Sequence, residues 1–252
     1  GSTPIYGACV AATGEIRVAA NCWIYPYAHD TNGGTVRFAA SDLTVIGDTN
    51  AGFNADAKGY RSGPSNAKGY GPGGGASGAN NGGGYGGAGG KSGGGTYGSA
   101  SAPMLPGSAG SGTGGDVGGY GGGAIWIEAT NRVFLNRAIL TANGGTAGGG
   151  GGSGGGISIA CHTFLATGAV LRAVGAPGGH TNDGGGGGGR IAVPYDPVAE
   201  GGESPSTLTL STAPGSGLYG DVGTIYFPDN RFLSETFLHS GQWMSPNFTN
   251  WS

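Results

Sequence analysis

"GGGGGGRIAVPYD", residues 184–196, joins six consecutive glycines to a stretch in which Ile191, Val193 and Tyr195 alternate with other residues. An apolar period of two is typical of a β-strand that buries one face. A glycine run does not order by itself, because fixing each residue costs about 1–2 kcal/mol of backbone entropy. We therefore expect the glycine runs to pack laterally against one another as extended threefold helices of the polyglycine II kind.

A pattern of one glycine followed by alternating apolar residues recurs along the chain. Copies read "GAIWI", "GISIA", "GRIAV" and "GTIYF" and begin at Gly123, Gly156, Gly189 and Gly223, which are 33, 33 and 34 residues apart. Earlier copies, "GEIRV" and "GTVRF", begin at residues 14 and 34. The repeats predict that Ile125, Ile157, Ile191 and Ile225 stack in one buried row, whereas Ser158, which alternates with Ile157, should tolerate substitution.

A second apolar stretch follows the first strand of a repeat, as in "VFLNRAILTANGG" and "TFLATGAVLRAVGAPGG", and then passes into glycine. A unit of this size with no helical period cannot bury its own apolar face and has to stack on its neighbours. The prediction is an all-β chain that forms a right-handed parallel β-helix, or β-solenoid, of about six coils. An antiparallel sandwich of hairpins is the structural alternative.

The same spacing predicts the organisation of the chain as one solenoid domain, residues 1–252. Residues 13–59 form the N-terminal coils, 60–122 a glycine-rich insertion, 123–228 the regular repeats, and 229–252 a C-terminal cap or assembly tail. The insertion explains why the copies at Gly34 and Gly123 are out of step.

Phrases such as "GTVRFAASDLTVIG", "GGGAIWIEA" and "GGGGGGRIAVPYD" resemble the glycine-rich parallel β-helix repeats of large secreted bacterial surface proteins, which are grouped with pectin-lyase-like folds. The glycine runs are also similar to the polyglycine-helix tips of phage adhesins, although those lack the strand repeat. The resemblance implies two possible kinds of function, because both surface adhesins and polysaccharide-acting enzymes share this architecture.

Charge and composition exclude several classes of function. The 11 basic and 14 acidic residues give a net charge of −3, with no block of like charge suited to nucleic acid. No apolar run approaches the roughly 20 residues of a membrane span. No cofactor motif is found, since "GYGGAGGKSG" places Tyr85 where a phosphate loop requires glycine.

The search for catalytic residues and metal ligands gives none, and we expect no enzyme activity. The four histidines lack metal-binding spacing. His180 and Asp183 precede the six-glycine run and are interpreted as solvated loop residues. A polysaccharide lyase or hydrolase is the third functional hypothesis.

A glycan-binding adhesin domain is the second hypothesis, with a surface polysaccharide as partner. It depends on tyrosines of the insertion, whose rings can stack on sugars. The alternative is that these rings hold the glycine packing in place. The candidates are Tyr60, Tyr70, Tyr85, Tyr97 and Tyr120.

An extracellular location is indicated by cysteines and by two glycosylation sequons. Cys9 and Cys22 are candidates for a disulfide at the open end of the solenoid, and Asn247 and Asn250 begin the sequons of a possible glycoprotein. The chain starts with Gly1 and Ser2 and lacks a signal segment, so we expect a processed mature form or a cloning remnant at this end.

The first hypothesis is an extracellular structural protein, a subunit of a fibre, filament or surface layer. A solenoid has open strand edges at both ends, and neither terminus offers an amphipathic helix to cover them. Large apolar residues outside the repeat either fold back as caps or pair with the next copy to build a head-to-tail homopolymer. These assembly candidates are Trp23, Tyr25, Phe237, Trp243 and Trp251.

Overall fold

The computed structural model describes residues 6–48, 50–201, 207–218, 220–232 and 238–246, and within them the chain is almost entirely β-structure. The prediction of an all-β chain is confirmed. The elements are β1 (Tyr6–Ala11), β2 (Glu15–Val18), β3 (Trp23–Ile24), β4 (Thr35–Ile46), β5 (Gly52–Asn54), β6 (Ala124–Asn136), β7 (Ile139–Thr141), β8 (Gly156–Ala160), β9 (Thr163–Thr167), β10 (Ala169–Arg172), β11 (Arg190–Ala192), α1 (Pro197–Glu200), β12 (Leu208–Ser211), β13 (Thr224–Tyr226), β14 (Leu238–Ser240) and β15 (Gln242–Met244).

The strands form two sheets. The nine-stranded sheet has the order β1-β4-β6-β8-β11-β13-β15, with β2 also paired to β4 and β9 also paired to β6. The six-stranded sheet has the order β14-β12-β10-β7-β5-β3. Every strand pair among the described residues is parallel, which rules out the alternative of antiparallel hairpins.

The chain alternates between the sheets. From β4 onward it passes to β5, back to β6, and on to β7 and β8; β8 and β9 then both lie beside β6 before the chain crosses to β10. Parallel neighbours require such a crossover, because a tight turn joins only antiparallel strands.

The predicted isoleucine row is confirmed. Ile157 pairs with Ile125 on one side and with Ile191 on the other, and Ile191 pairs with Ile225. All four side chains are fully buried. One glycine of the repeat departs from this register, since Gly156 pairs with Ala124 rather than with Gly123. The apolar side chains therefore set the alignment of the coils, because a slip of one residue would turn the whole row towards solvent.

A second buried row lies in the six-stranded sheet, where Phe53, Leu140, Leu171 and Leu210 are paired in succession. Residues from both sheets belong to one hydrophobic cluster. The core is thus shared between the sheets, as expected for repeats that bury surface only by stacking.

The glycine runs are packed rather than loose. All six glycines at 184–189 are buried. Gly187 donates its N–H to the carbonyl of Gly83 in the insertion at 2.9 Å, and Gly188 donates to the carbonyl of Asp221 at 2.9 Å. Lateral bonds of this kind satisfy buried backbone groups that have no strand partner.

The insertion lies against the nine-stranded sheet as well as the glycine runs. Thr35 of β4 donates its hydroxyl to the carbonyl of Met104 at 3.1 Å, and a Cβ on Gly156 would lie 2.2 Å from the carbonyl oxygen of Pro103. The strand alternation predicts a solvent-facing Ser158, but this residue is only 4% exposed. The expectation that Ser158 tolerates substitution loses its physical basis, because the insertion covers this face.

The short helix α1 follows from its capping residue. Asp196 is extended at the N-cap, and its side chain accepts from the backbone N–H groups of Val198 and Ala199, with proline at the first helical position. Glu200 at the other end is buried and accepts from the N–H of Phe164 in β9 at 2.7 Å.

Candidate functional site

The N-terminal edges of the two sheets carry exposed apolar side chains. β1 is the edge strand of the nine-stranded sheet, and its Val10 is 46% exposed. β3 is the edge strand of the six-stranded sheet; its Trp23 is half-buried, and Tyr25 just beyond it is 53% exposed. Two of the predicted assembly residues therefore lie at one end of the stacked strands.

The opposite edges are formed by β14 and β15. Trp243 of β15 pairs with Ile225, and its ring stacks on Phe227 with centroids 4.9 Å apart and planes within 7°. Met244 beside it is 41% exposed. The other C-terminal assembly candidates, Phe237 and Trp251, lie outside the described residues, as do the sequon residues Asn247 and Asn250.

No strand among the described residues pairs with the outer side of these edge strands. In the described part of the chain the only helix is α1, which contacts β9. An uncovered parallel edge is a template for another strand of the same direction. Because all strands of a sheet are parallel, the strands at its two edges point in the same direction.

The predicted glycan-stacking tyrosines are mostly not available for stacking. Tyr60 and Tyr85 are buried, and the ring of half-buried Tyr97 lies 4.7 Å from that of Tyr85. Tyr70 stacks on the guanidinium of Arg61 at 4.4 Å. These contacts agree with the alternative interpretation, in which the rings hold the glycine packing in place.

Burial raises the pKa values of the Tyr60, Tyr85 and Tyr97 phenols. Tyr97 donates its hydroxyl to the carbonyl of Pro106 and accepts from Ser108 at 2.9 Å. A neutral phenol that donates and accepts inside the packing is a structural group. Of the five candidates only Tyr120 is largely exposed, at 45%.

An exposed aromatic cluster was not predicted. The ammonium of Lys58 lies 4.4 Å from the ring centre of Tyr27 and 5.6 Å from that of Tyr25. Tyr27 is 64% exposed. The local signal was the alternation of tyrosines in "YPY", but no sequence pattern places Lys58 beside them, since 31 residues separate it from Tyr27.

The predicted disulfide is absent, because Cys9 and Cys22 are free, exposed thiols. Cys9 pairs with Arg37 near the start of β4, whereas the carbonyl of Cys22 accepts from Gly52, beyond the end of β4. Cys9 is thus aligned with a strand of the nine-stranded sheet and Cys22 with the start of a strand of the six-stranded sheet.

We expect iodoacetamide at pH 8 to alkylate Cys9 and Cys22 and to leave Cys161 unmodified on the same timescale. Burial, and then the nearby Glu200 carboxylate, raise the pKa of the Cys161 thiol to about 12. Only the thiolate reacts, and at pH 8 about one part in ten thousand of such a thiol is ionised. Intact mass and peptide mapping measure the result. The double variant Cys9→Ser, Cys22→Ser should gain no label, and equal labelling of Cys161 would contradict the expectation.

His180 is exposed, as predicted for a solvated loop residue, whereas the Asp183 that it contacts is buried, which corrects the interpretation of Asp183. Asp183 is only 5% exposed and accepts from the His180 Nδ1 at 3.0 Å and from its backbone N–H at 3.0 Å. Burial raises the pKa of Asp183, but hydrogen bonds from Asn80 and His180 outweigh it and hold the pKa below the usual value. The hydrogen bond to Asp183 raises the pKa of His180.

The described residues hold no group of three or more His, Cys, Asp or Glu side chains arranged to bind a metal ion. Among the same residues no helix has the length and apolar character needed to cross a membrane. Comparisons with models of protein families, with curated proteins and with solved structures found no significant match. Fold and site together define an all-β protein of two parallel sheets whose edge strands pair with no further strand among the described residues.

Proposed function

We propose that the protein is an extracellular structural subunit that assembles end to end into a fibre, filament or surface layer. In this proposal the two sheets are the walls of a right-handed parallel β-helix. Support comes from the alternation of the chain between the sheets and from the six strands of the smaller sheet, one for each coil. With coils about 4.8 Å apart, six of them make a body about 30 Å long.

The glycine runs are proposed to be polyglycine II helices that stiffen one side of this body. Support comes from their burial and from their lateral hydrogen bonds to neighbouring runs. Absent side chains let the backbones approach closely, and a packed bundle resists bending more than a loop does. This property suits a load-carrying extracellular element.

The observation that carries the assembly proposal is that each end of the strand stack has two edge strands with no further strand paired to them among the described residues. The edge β15 of one copy presents the same strand direction as β1 of the next, and the edge β14 the same direction as β3. Joining unlike edges is a heterologous contact, which continues into a filament if rotation does not close a ring. Exposed Val10, Tyr25 and Met244 give the joint apolar area.

Assembly is tested with charges placed on the edges. We expect the unaltered protein to form polymers whose size rises with concentration, and Val10→Lys or Met244→Lys to leave it monomeric, because lysine on an edge strand opposes pairing. Val198→Lys is the matched control, since Val198 is 88% exposed and lies in α1 rather than on an edge strand. Sedimentation velocity and electron microscopy measure polymer size.

Deletion of residues 236–252 is the second arm of the test. It removes β14 and β15, and we expect it to abolish filaments while the central repeats stay folded by circular dichroism. If the full-length chain sediments as a monomer at high concentration and the deletion only unfolds it, the tail is a cap and the assembly proposal is wrong.

The extracellular location rests on the resemblance to secreted repeat proteins and on the sequons at Asn247 and Asn250. The free Cys9 and Cys22 lend it no support. Fractionation of the native source, with mass spectrometry of the C-terminal peptide, tests both location and glycosylation.

Glycan binding is the second candidate function, favoured by the cluster of Tyr25, Tyr27 and Lys58. Two exposed rings beside a cation fit a sugar face that carries an acidic group. A sugar array distinguishes the two candidates: binding lost in Tyr27→Ala but retained in Tyr120→Ala would favour an adhesin that uses this cluster.

A further inference from the structure

Arg190 is a cation buried under the insertion. It is the first residue of β11 and is 7% exposed. Its Nε donates to the carbonyl of Tyr97 at 3.0 Å, one Nη donates to the hydroxyl of Thr224 at 3.0 Å, and the other to the carbonyl of Tyr85 at 3.4 Å. The guanidinium thus ties the insertion to the sheet.

The guanidinium carbon also lies 5.5 Å from the ring centre of Tyr85, but this ring and the three hydrogen-bond acceptors are all neutral and leave part of the hydrogen-bonding capacity of Arg190 unused. A guanidinium has five N–H donors, so two are left over. None of the ion pairs among the described residues includes Arg190. A buried charge is normally paired, since its lost hydration needs an opposite charge to offset it. Burial lowers the pKa of Arg190.

Arg190 lines a pocket of about 380 Å³ that opens beside the edge strand β15. Sites for small molecules typically measure about 300–1,000 Å³. Arg190, Thr224 and Gln242 are paired on three successive strands and form one side of the pocket. Thr96 and glycines of the insertion belong to the other side.

Two further features of the lining restrict the ligand. Asp221 is exposed and lines the same pocket, so a multiply charged anion would be repelled there while an ammonium group would be attracted. Val222 and Met244 add apolar surface and are 37% and 41% exposed. The lining therefore offers a cation for a carboxylate, an anion for an ammonium group and apolar surface for an apolar side chain.

We propose that this pocket binds a free amino acid with an apolar side chain. Arg190 receives the carboxylate through its two remaining N–H groups, and Asp221 receives the ammonium group. The side chain lies on Val222 and Met244. The site does not depend on end-to-end assembly, but it shares Met244 of the edge strand β15 with the proposed joint, so binding is measured on the monomeric Val10→Lys variant.

The probes are L-leucine, 4-methylpentanoate, which is leucine without its ammonium group, and L-leucinamide, which lacks the carboxylate. Titrations are followed by the amide resonances of Thr224 and Gln242. We expect leucine to bind most tightly. Each of the other two should bind on the order of tenfold to a hundredfold more weakly, because each has lost the hydrogen bonds of one charged group.

The decisive variant is Asp221→Asn, because it leaves the backbone bonds of this residue to Ala88 and Gly188 in place. We expect this variant to bind leucine about tenfold more weakly and to bind 4-methylpentanoate with unchanged affinity. Arg190→Lys keeps the charge but loses the planar fork, and should weaken both carboxylates. Amide spectra of the unliganded variants show whether the insertion remains docked.

The proposal is overturned if leucine at millimolar concentration shifts no pocket amide, or if leucinamide binds as tightly as leucine. It is also overturned if Asp221→Asn leaves leucine binding unchanged while the variant is folded. In those cases Arg190 serves only to fasten the insertion to the sheet.

Discussion

Replacing Ile157 by alanine is expected to lower the free energy of unfolding by about 2–5 kcal/mol, the range for truncating a buried aliphatic side chain. Ile157 is fully buried and stands between Ile125 and Ile191 on the neighbouring strands. Its loss leaves a cavity bounded by side chains that are themselves held in register, so the site collapses poorly. Denaturant unfolding measures the effect.

The matched control is Val10→Ala on the edge strand β1, where the side chain is 46% exposed. It removes apolar atoms from a strand residue without opening a closed cavity, and a change within about 0.5–1 kcal/mol is expected. Ser158 is unsuitable as a control because it is buried. Equal, small effects at Ile157 and Val10 would contradict the stacked isoleucine row.

The second large effect is expected for Gly186→Ala in the six-glycine run. A Cβ at this position would lie 2.0 Å from the carbonyl oxygen of Gly152 and 2.5 Å from its carbonyl carbon. The obstacle is backbone, which has no rotamer to change, so neighbouring runs have to separate. Overpacking of this kind costs about 1–3 kcal/mol, and thermal or denaturant unfolding detects it.

Gly95→Ala is the control for this prediction. Gly95 is an exposed glycine of the insertion; a Cβ there would meet nothing within 4 Å, and its φ is outside the left-handed region. Alanine should therefore be neutral or stabilising by about 0.4–1 kcal/mol, because it restricts the unfolded chain. If both variants behave alike, the glycine run is a hinge rather than a packed element.

The strands and their register followed from the sequence to a large extent. The alternation in "GAIWI" and "GRIAV" is a local pattern, and rows of identical apolar residues at a near-constant spacing leave one alignment that buries them all. The glycine motif was the poorer guide at the second copy, where Gly156 pairs with Ala124. A glycine without a side chain gains nothing from being aligned with another glycine.

The candidate site was predicted less well. The terminal strands were identified as edges, but the rings of Tyr60 and Tyr85 turned out to be buried, and the thiols of Cys9 and Cys22 are free. The buried Arg190 carried one faint signal, a charged residue at the start of a strand that otherwise reads as apolar. Its partners, Tyr85 and Tyr97, are about a hundred residues away in sequence, at separations of 105 and 93.

The sequence by itself determined the elements that depend on periodicity: short strands, a parallel stack of repeats and an isoleucine row that excludes water. The tertiary structure decided where the insertion lies, and therefore which face of the nine-stranded sheet is covered. The physical reason is that glycine runs have no side chains to specify a partner. Their neighbours are chosen by backbone hydrogen bonds and close approach, as between Gly187 and Gly83, and these exist only once the strands have brought the runs together.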